Sequence, residues 1–456
     1  MGYGGTMGLT IVHKSDLTTR KRNPRVALVL AGGAVTGGAY KLGGLKALDD
    51  FMVNRKTTDF DIYVGLSAGS FLAAPLAGGV TPVEMLKSLD GSSEDFSQLR
   101  PSDFYNLNLE EFFWKPIELM VDLVTYAPGV VYDFLVQTPA LLRHLEDAIV
   151  RARREPSLDA LVECVTPVLD AIGSAREFPF PLAYLPSGLF DNASLERYLR
   201  QNIERRGMTN DFRVLYRTRG VELYMVAMNL DTAERAVFGH DEDSSLTISE
   251  SVQASTALPG FYKPARLRGI DYVDGGVRRT ANIDVAIEHG ADLVICYNPF
   301  RPFSNRVVRR FRPEQNRYTL EGRPLADQGM LTVLNQVFRT LLHSRLQLGI
   351  RQYQDDPHFQ GDIILIEPAE SDLAFFKMAP LNLWAGRSAG AHGYLSVTET
   401  VESHYELIKQ ILQSYGVQMT RKEVREGLER LLTNESVESP DEVLLRDVPR
   451  RNLHVA

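Results

Sequence analysis

The apolar positions of the chain fall into short blocks separated by glycine. Val26 to Ala31 is an unbroken apolar run, the pattern of a strand buried on both faces of a parallel sheet. Gly32 and Gly33 end it, and from Tyr40 to Asp50 leucine recurs at Leu42, Leu45 and Leu48, which predicts a helix. Phe60 to Val64 is a second buried-strand pattern. It stops at Gly65 and runs into an Ala- and Leu-rich segment. Two strand–turn–helix units this close together predict an α/β protein with a parallel sheet covered by helices. Thr81-Pro82-Val83-Glu84 opens a further helix with capping-box spacing and proline at its first position.

Beyond that helix the pattern changes. Residues 92–181 are rich in aromatics, including Phe104, Phe112, Phe113, Trp114, Tyr132 and Phe134, and carry the charged run Arg151 to Glu155. They read as a mostly helical insertion. Strand patterns return at Leu223 to Asn229, Arg235 to Phe238, Gly269 to Val273, Leu293 to Tyr297 and Ile363 to Ile366. Thr400 to Tyr415 predicts a helix stopped by Gly416, and Thr420 with Glu423 opens a charged helix ending near Leu432. The organisation expected is a flexible lead over 1–24, one main domain over 25–416, and a charged helix and tail over 417–456.

Composition narrows the class. Of 456 residues, 44% are hydrophobic and 24% charged, which excludes a largely disordered chain. The net charge of −8 repels phosphate, so no nucleic acid partner is expected. Cys164 and Cys296 are too few for a disulfide framework or a thiolate zinc cluster, which favours a reducing, cytoplasmic location. No cluster of histidines and carboxylates has ligand spacing, so neither metal nor cofactor is expected. No apolar run reaches the ~18 residues that span a bilayer, because Ile117 to Val136 is broken by Asp122, Pro128 and Asp133. A membrane, if involved, is touched and not crossed. Gly2 with Thr6 fits the loose acylation pattern, for which a plain Gly-rich start is the blander reading.

Three segments carry chemistry. Gly65-Leu66-Ser67-Ala68-Gly69 is a G-x-S-x-G turn between a buried strand and a helix, which exposes a serine at a helix N-terminus. Gly32-Gly33-Ala34-Val35-Thr36-Gly37-Gly38 lacks the Lys-Ser/Thr ending of a phosphate-binding P-loop. It suits an oxyanion hole of backbone N–H groups. Asp274-Gly275-Gly276 follows the strand ending at Val273 and would project a carboxylate at the sheet's carboxyl edge, unless it is only a turn. An α/β-hydrolase triad could draw on His289, His392 or His404, although that fold places more strands before its nucleophile. A lipid-binding or scaffold protein without turnover is the reading from another class.

A glycine-rich turn, then a serine, then a late aspartate resembles the patatin-like phospholipases. The resemblance runs from about Arg25 to Gly416 and includes Ala254-Ser255-Thr256-Ala257-Leu258-Pro259 and Tyr272-Val273-Asp274-Gly275-Gly276. It implies a three-layer α/β/α fold with a mostly parallel central sheet and a helical insertion. It also implies hydrolysis of lipid acyl esters by a serine–aspartate dyad without histidine. On that likeness Ser67 is the nucleophile and Asp274 its base. Gly32, Gly33 and Ala34 form the oxyanion hole, and Gly37, Gly65, Gly69, Gly275 and Gly276 are the motif glycines. The chain departs from the pattern at Ala34, where a third glycine is usual, at Thr36, where a basic residue is usual, and at Ala281-Asn282-Ile283. Ala34 fits if its φ is negative, since only its N–H is needed.

Two surfaces suggest lipid contact. Phe112, Phe113 and Trp114 cannot all be buried on one helix face, so the insertion is expected to form an acyl entrance or lid, unless it is a core helix packed from two sides. Arg301, Arg306, Arg309, Arg310, Arg312 and Arg317 crowd a segment with one acid, Glu314, near Arg278 and Arg279. Such a segment could dock on an anionic membrane, with Phe303 and Phe311 inserting, or could be a solvated, ion-paired loop.

Overall fold

A strand that is apolar on both faces needs a cover on both, and the computed structural model supplies two. It describes residues 8–94, 96–126, 128, 181–312, 317–378, 382 and 386–433. The strands of the main sheet and of one hairpin are β1 (Leu9–His13), β2 (Val26–Leu30), β3 (Ile62–Leu66), β4 (Glu222–Asn229), β5 (Arg235–Phe238), β6 (Ala265–Leu267), β7 (Ile270–Asp274), β8 (Leu293–Tyr297), β9 (Val308–Arg312), β10 (Arg317–Glu321) and β11 (Asp362–Ile366). The main sheet runs β1-β11-β8-β2-β3-β4-β7-β6, with β5 also paired to β4. Its centre, from β11 to β4, is parallel. Strands β1 and β7 flank that centre antiparallel.

Alternate residues of each central strand enter two different cores. Leu28, Leu30, Tyr63 and Met225 join one side, and Ala27, Val29, Val64 and Val226 the other. The first side is covered by α1 (Ala34–Phe51), α2 (Ala68–Ala77), α3 (Pro82–Asp90), α4 (Ala193–Arg205) and α5 (Ile248–Thr256). The second is covered by α6 (Ile283–Glu288) and α7 (Met330–Asp355). Helices α8 (Gly386–Ser403), α9 (Tyr405–Ser414) and α10 (Lys422–Thr433) complete the first side. The fold is therefore three-layer α/β/α, as the sequence implied.

Glycine lets α1 sit in the middle of its layer. A Cβ on Gly43 would lie 1.8 Å from the Gly390 carbonyl oxygen, and one on Gly393 1.9 Å from that of Tyr40. Helices α1 and α8 thus touch backbone to backbone, and α1 is buried from Thr36 to Phe51. The helix expected over Thr400 to Tyr415 is two helices, because His404 leaves helical geometry at φ −126° between α8 and α9. Gly416, at φ 77°, ends the second. Thr81 Oγ1 accepts from the Glu84 N–H at the start of α3, as its spacing predicted.

The lead is not wholly flexible. Leu9–His13 forms an edge strand paired residue for residue with Ile366–Asp362, so its alternating apolar residues are covered. Residues 1–7 and 434–456, which hold the acylation pattern and the tail, lie outside the described residues. Residues 107–189 form a compact unit of their own. Within it residues 109–126 are helical, and the Ser187 N–H and hydroxyl donate to the Glu111 carboxylate at 2.6 and 2.8 Å. Residues 129–180, most of the predicted helical insertion, lie outside the described residues.

Candidate active site

Strand β3 ends at Leu66, paired with Val226, and Asp274 of β7 pairs with Ala227 on the other side of β4. The register therefore sets Ser67 and Asp274 at one level, separated by a single strand. Strand β7 reaches that level antiparallel to β4. A strand of five residues, Ile-Asp-Tyr-Val-Asp, has the same periodicity in either direction, so its sequence does not give its direction.

Ser67 is the N-cap of α2, at φ 54° and ψ −130°, a backbone region costly for any residue with a side chain. Two glycines make the bend possible by absence of bulk. A Cβ on Gly65 would lie 2.5 Å from Ser70 Cα, and one on Gly69 2.0 Å from the Leu30 carbonyl oxygen. The strained turn is pinned from α5. The Ser67 N–H donates to Ser255 Oγ at 2.8 Å, and Ser255 Oγ donates to the Val226 carbonyl at 2.6 Å. Two residues later, at the C-cap of α5, the Ala257 carbonyl accepts from the Asp274 N–H at 3.0 Å. The segment from Ala254 to Pro259 thus holds both members of the pair. The sequence gives Ser255 no role of its own, because it is one of three polar residues, with Gln253 and Thr256, at the end of its helix.

Asp274 is buried, its carboxylate accepts from the Gly276 N–H at 2.8 Å, and the Ser67 hydroxyl lies beside it. Burial raises its pKa to about 6, against the lowering effects of the Ser67 hydroxyl, the Gly276 N–H and the Lys41 charge. A carboxylate near 6 is a far better proton acceptor at neutral pH than one near 4.

Gly32 faces Ser67: a Cβ on it would lie 3.2 Å from Ser67 Cβ and 3.6 Å from Oγ. Among the described residues, the N–H groups of Gly32 and Gly33 have no acceptor, and that of Ala34 is a first-turn orphan of α1. Two helix N-termini, those of α1 and α2, therefore meet at one hydroxyl, a ready site for a developing anion. Ala34 corrects an expectation. Its φ is 51°, not negative, so alanine here holds the left-handed conformation that glycine adopts freely. Ala34→Gly is expected to stabilise the protein by about 1 kcal/mol, read as a higher thermal midpoint. A lower midpoint would show that the methyl packs well enough to outweigh its strain.

Ser67 opens on a cleft lined by Val35, Phe71, Leu99, Phe104, Leu195 and Leu258 among others. Its wall is mostly apolar, with Ser67, Thr256 and Tyr262 as the polar side chains among its lining. Lys41, which the sequence reading passed over as one position in an apolar helix, is fully buried. Its ammonium donates to the Ala31 carbonyl and, at 3.2 Å, to that of Gly32.

The three candidate histidines are engaged elsewhere. His289 Nδ1 lies 2.7 Å from the Val285 carbonyl, His392 pairs with Asp372 at 2.7 Å, and His404 Nδ1 lies 2.8 Å from Ser403 Oγ. Among the described residues, no group of three or more His, Cys, Asp or Glu is placed to hold a metal. Arg278 donates to the Ala233 carbonyl and Arg279 pairs with Asp284, both at 2.5 Å. Trp114 is 60% exposed on the helix over 109–126.

Comparison with known proteins gives a family. Residues 28–287 match the family described as patatin-like phospholipase. The probable lipid hydrolase 463L of Invertebrate iridescent virus 6 is 20% identical over 264 residues, 58% of this chain and 63% of that protein. The chain thus spans less than two thirds of that curated relative. Among solved structures, VipD from Legionella pneumophila is 16% identical with a TM-score of 0.35, covering 87% of this chain and 70% of that one. Human GIVD cytosolic phospholipase A2 is 11% identical with a TM-score of 0.29, covering 88% and 61%.

Proposed function

This chain belongs to the patatin-like phospholipase family, and from that premise we propose that it is a lipid acyl hydrolase. It cleaves carboxylic esters through an acyl-Ser67 intermediate with Asp274 as general base. One observation carries the reading: Ser67, on a strained strand-to-helix turn that lines an apolar cleft, stands beside the buried carboxylate of Asp274. Asp274 takes the hydroxyl proton as Oγ attacks the ester carbon, and the carbonyl oxygen becomes an anion on the Gly32, Gly33 and Ala34 N–H groups. Collapse expels the alcohol, which takes the proton from Asp274 and leaves the acyl-serine. Water then repeats the sequence, giving up a proton to Asp274 and releasing the acid with Ser67 restored. The apolar wall favours a fatty acyl chain.

A fluorophosphonate probe is expected to label the protein once, at Ser67, located by peptide mass spectrometry. A folded protein labelled elsewhere, or not at all, would remove the proposal.

The same reading places the enzyme in a reducing compartment, at the surface of an anionic membrane. The free Cys296 thiol, buried, is in keeping with the first. Two exposed features support the second. The arginine-rich segment is a β-hairpin, β9 with β10, whose first strand is exposed throughout. Phe311 stands out on it, whereas Phe303 stacks on Phe376 and is not free to insert. Helix α7 turns Arg339, Leu346 and Ile350 inward and leaves Met330, Leu331, Leu334, Val337, Phe338 and Leu341 outside, with Leu331 76% exposed. An outward apolar stripe beside basic residues suits an anionic lipid surface.

Replacing Arg309, Arg310 and Arg312 by glutamine is expected to weaken binding to vesicles containing phosphatidylserine by about 100-fold at low salt, at about 1 kcal/mol per residue. Turnover of a soluble ester is expected to stay unchanged. Unaltered vesicle binding would mean that the hairpin is not the docking site.

A further inference from the structure

The chain lacks a charge at Thr36, yet a cation sits under the same loop. Side chains of an α-helix lean toward its N-terminus, so Lys41, in the second turn of α1, reaches back to the loop that precedes the helix. There its ammonium donates to the carbonyls of Ala31 and Gly32, the peptides whose far sides present the N–H groups of Gly32 and Gly33 to Ser67. Lys41 is wholly buried, and the ionisable groups that act on it are Asp274, at the end of β7, and Cys296, on β8. No exposed role accounts for a lysine so placed. Holding two carbonyls by one ammonium fixes the direction of both peptide planes.

We propose that Lys41 is the fixed cation of this active site, a positioning residue that orients the oxyanion N–H groups and stabilises the ionised form of Asp274. The inference rests on the serine–aspartate reading above. It replaces the missing charge at Thr36 by one that approaches the loop from the carbonyl side. The task needs the ammonium form, because a neutral amine can donate to the carbonyls but exerts no such field on Asp274. Burial pushes the Lys41 pKa down to about 7, opposed by the charges of Asp274 and Cys296. Asp274, raised to about 6, is ionised above that pH. The competent state, Asp274 charged and Lys41 charged, is thus fullest between about pH 6 and 7.

The test is the pH profile of fluorophosphonate labelling and of soluble-ester kcat/KM, for the full chain and for Lys41→Met and Lys41→Arg. In the parent, both rates are expected to rise through about pH 6 and fall above about pH 7. Lys41→Met is expected to lower kcat about 10²-fold with little change in KM, the scale of one lost oxyanion donor. It should also move the acid limb to higher pH and abolish the alkaline fall. Lys41→Arg, which keeps its charge, should restore part of kcat and carry the alkaline limb outward. A parent profile flat from pH 7 to 9 overturns the proposal without any variant, and so covers the case where the methionine chain does not fold. So does a folded Lys41→Met protein with the parent's rate and limbs. Failure of the underlying dyad is read separately, as turnover that survives in Ser67→Ala or Asp274→Asn.

Discussion

Ser67→Ala is expected to lose about 10⁴–10⁶ of kcat and all fluorophosphonate labelling, the scale on which removing a hydrolase nucleophile acts. The oxyanion N–H groups and the apolar cleft remain in that variant, so substrate should still bind with a similar KM. The fold should also remain, since the turn is held by the Ser67 N–H on Ser255 Oγ, which the substitution leaves in place. A second substitution separates chemistry from strain. At φ 54° and ψ −130° alanine keeps the penalty that serine bears and glycine does not. Ser67→Gly should therefore be as inert as Ser67→Ala but more stable by about 1–3 kcal/mol, seen as a higher thermal midpoint. Retained turnover in both variants would show that another residue is the nucleophile.

What could be read in advance follows from which physical signals are local. The central strands were legible because a parallel sheet buries every residue of a strand, and Val26 to Leu30 does so. The nucleophile was legible because a bend as tight as that at Ser67 demands small residues at fixed offsets, Gly65 and Gly69. Asp274 was found from its place after a strand, but not the direction of that strand. Lys41 was missed because a lysine within a helix is by default solvated. The close approach of α8 through Gly390 and Gly393, with α2 and α3 packed on α1 as well, removes the water from this helix. The outward stripe of α7 was missed for the opposite reason. Its spacing is that of any amphipathic helix, and periodicity says which residues share a face, not where the face points. The arginine-rich segment was read as a loop because charge masks the alternation of a solvent-exposed hairpin. Leu9–His13 was lost in a lead whose glycine content suggested no structure at all.

Asp274→Asn is expected to cost about 10²–10⁴ in kcat, the usual worth of a positioned base, and at the same time to make the protein more stable at alkaline pH. The side chain keeps its shape and an oxygen that can accept from the Gly276 N–H, so activity falls for want of proton transfer and not of structure. The stability gain follows from the direction of the pKa shift. Folding raises the Asp274 pKa from 3.8 to about 6, so the native state holds this proton over a range in which the unfolded chain has released it. The resulting stabilisation is fully present below about pH 4 and is lost as pH rises through about 6. By pH 8 the parent carries a deficit of about 3 kcal/mol, two pKa units at 1.36 kcal/mol each, rounded up for the remainder. Lys41, lowered to about 7, is largely neutral at that pH and offsets little of it. With unfolding entropy of about 2 cal/mol/K per residue, the thermal midpoint of Asp274→Asn should lie about 3 °C above the parent at pH 8 and level with it at pH 4. The same difference at both pH values would mean that Asp274 is not a buried base with a raised pKa, whatever its place beside Ser67.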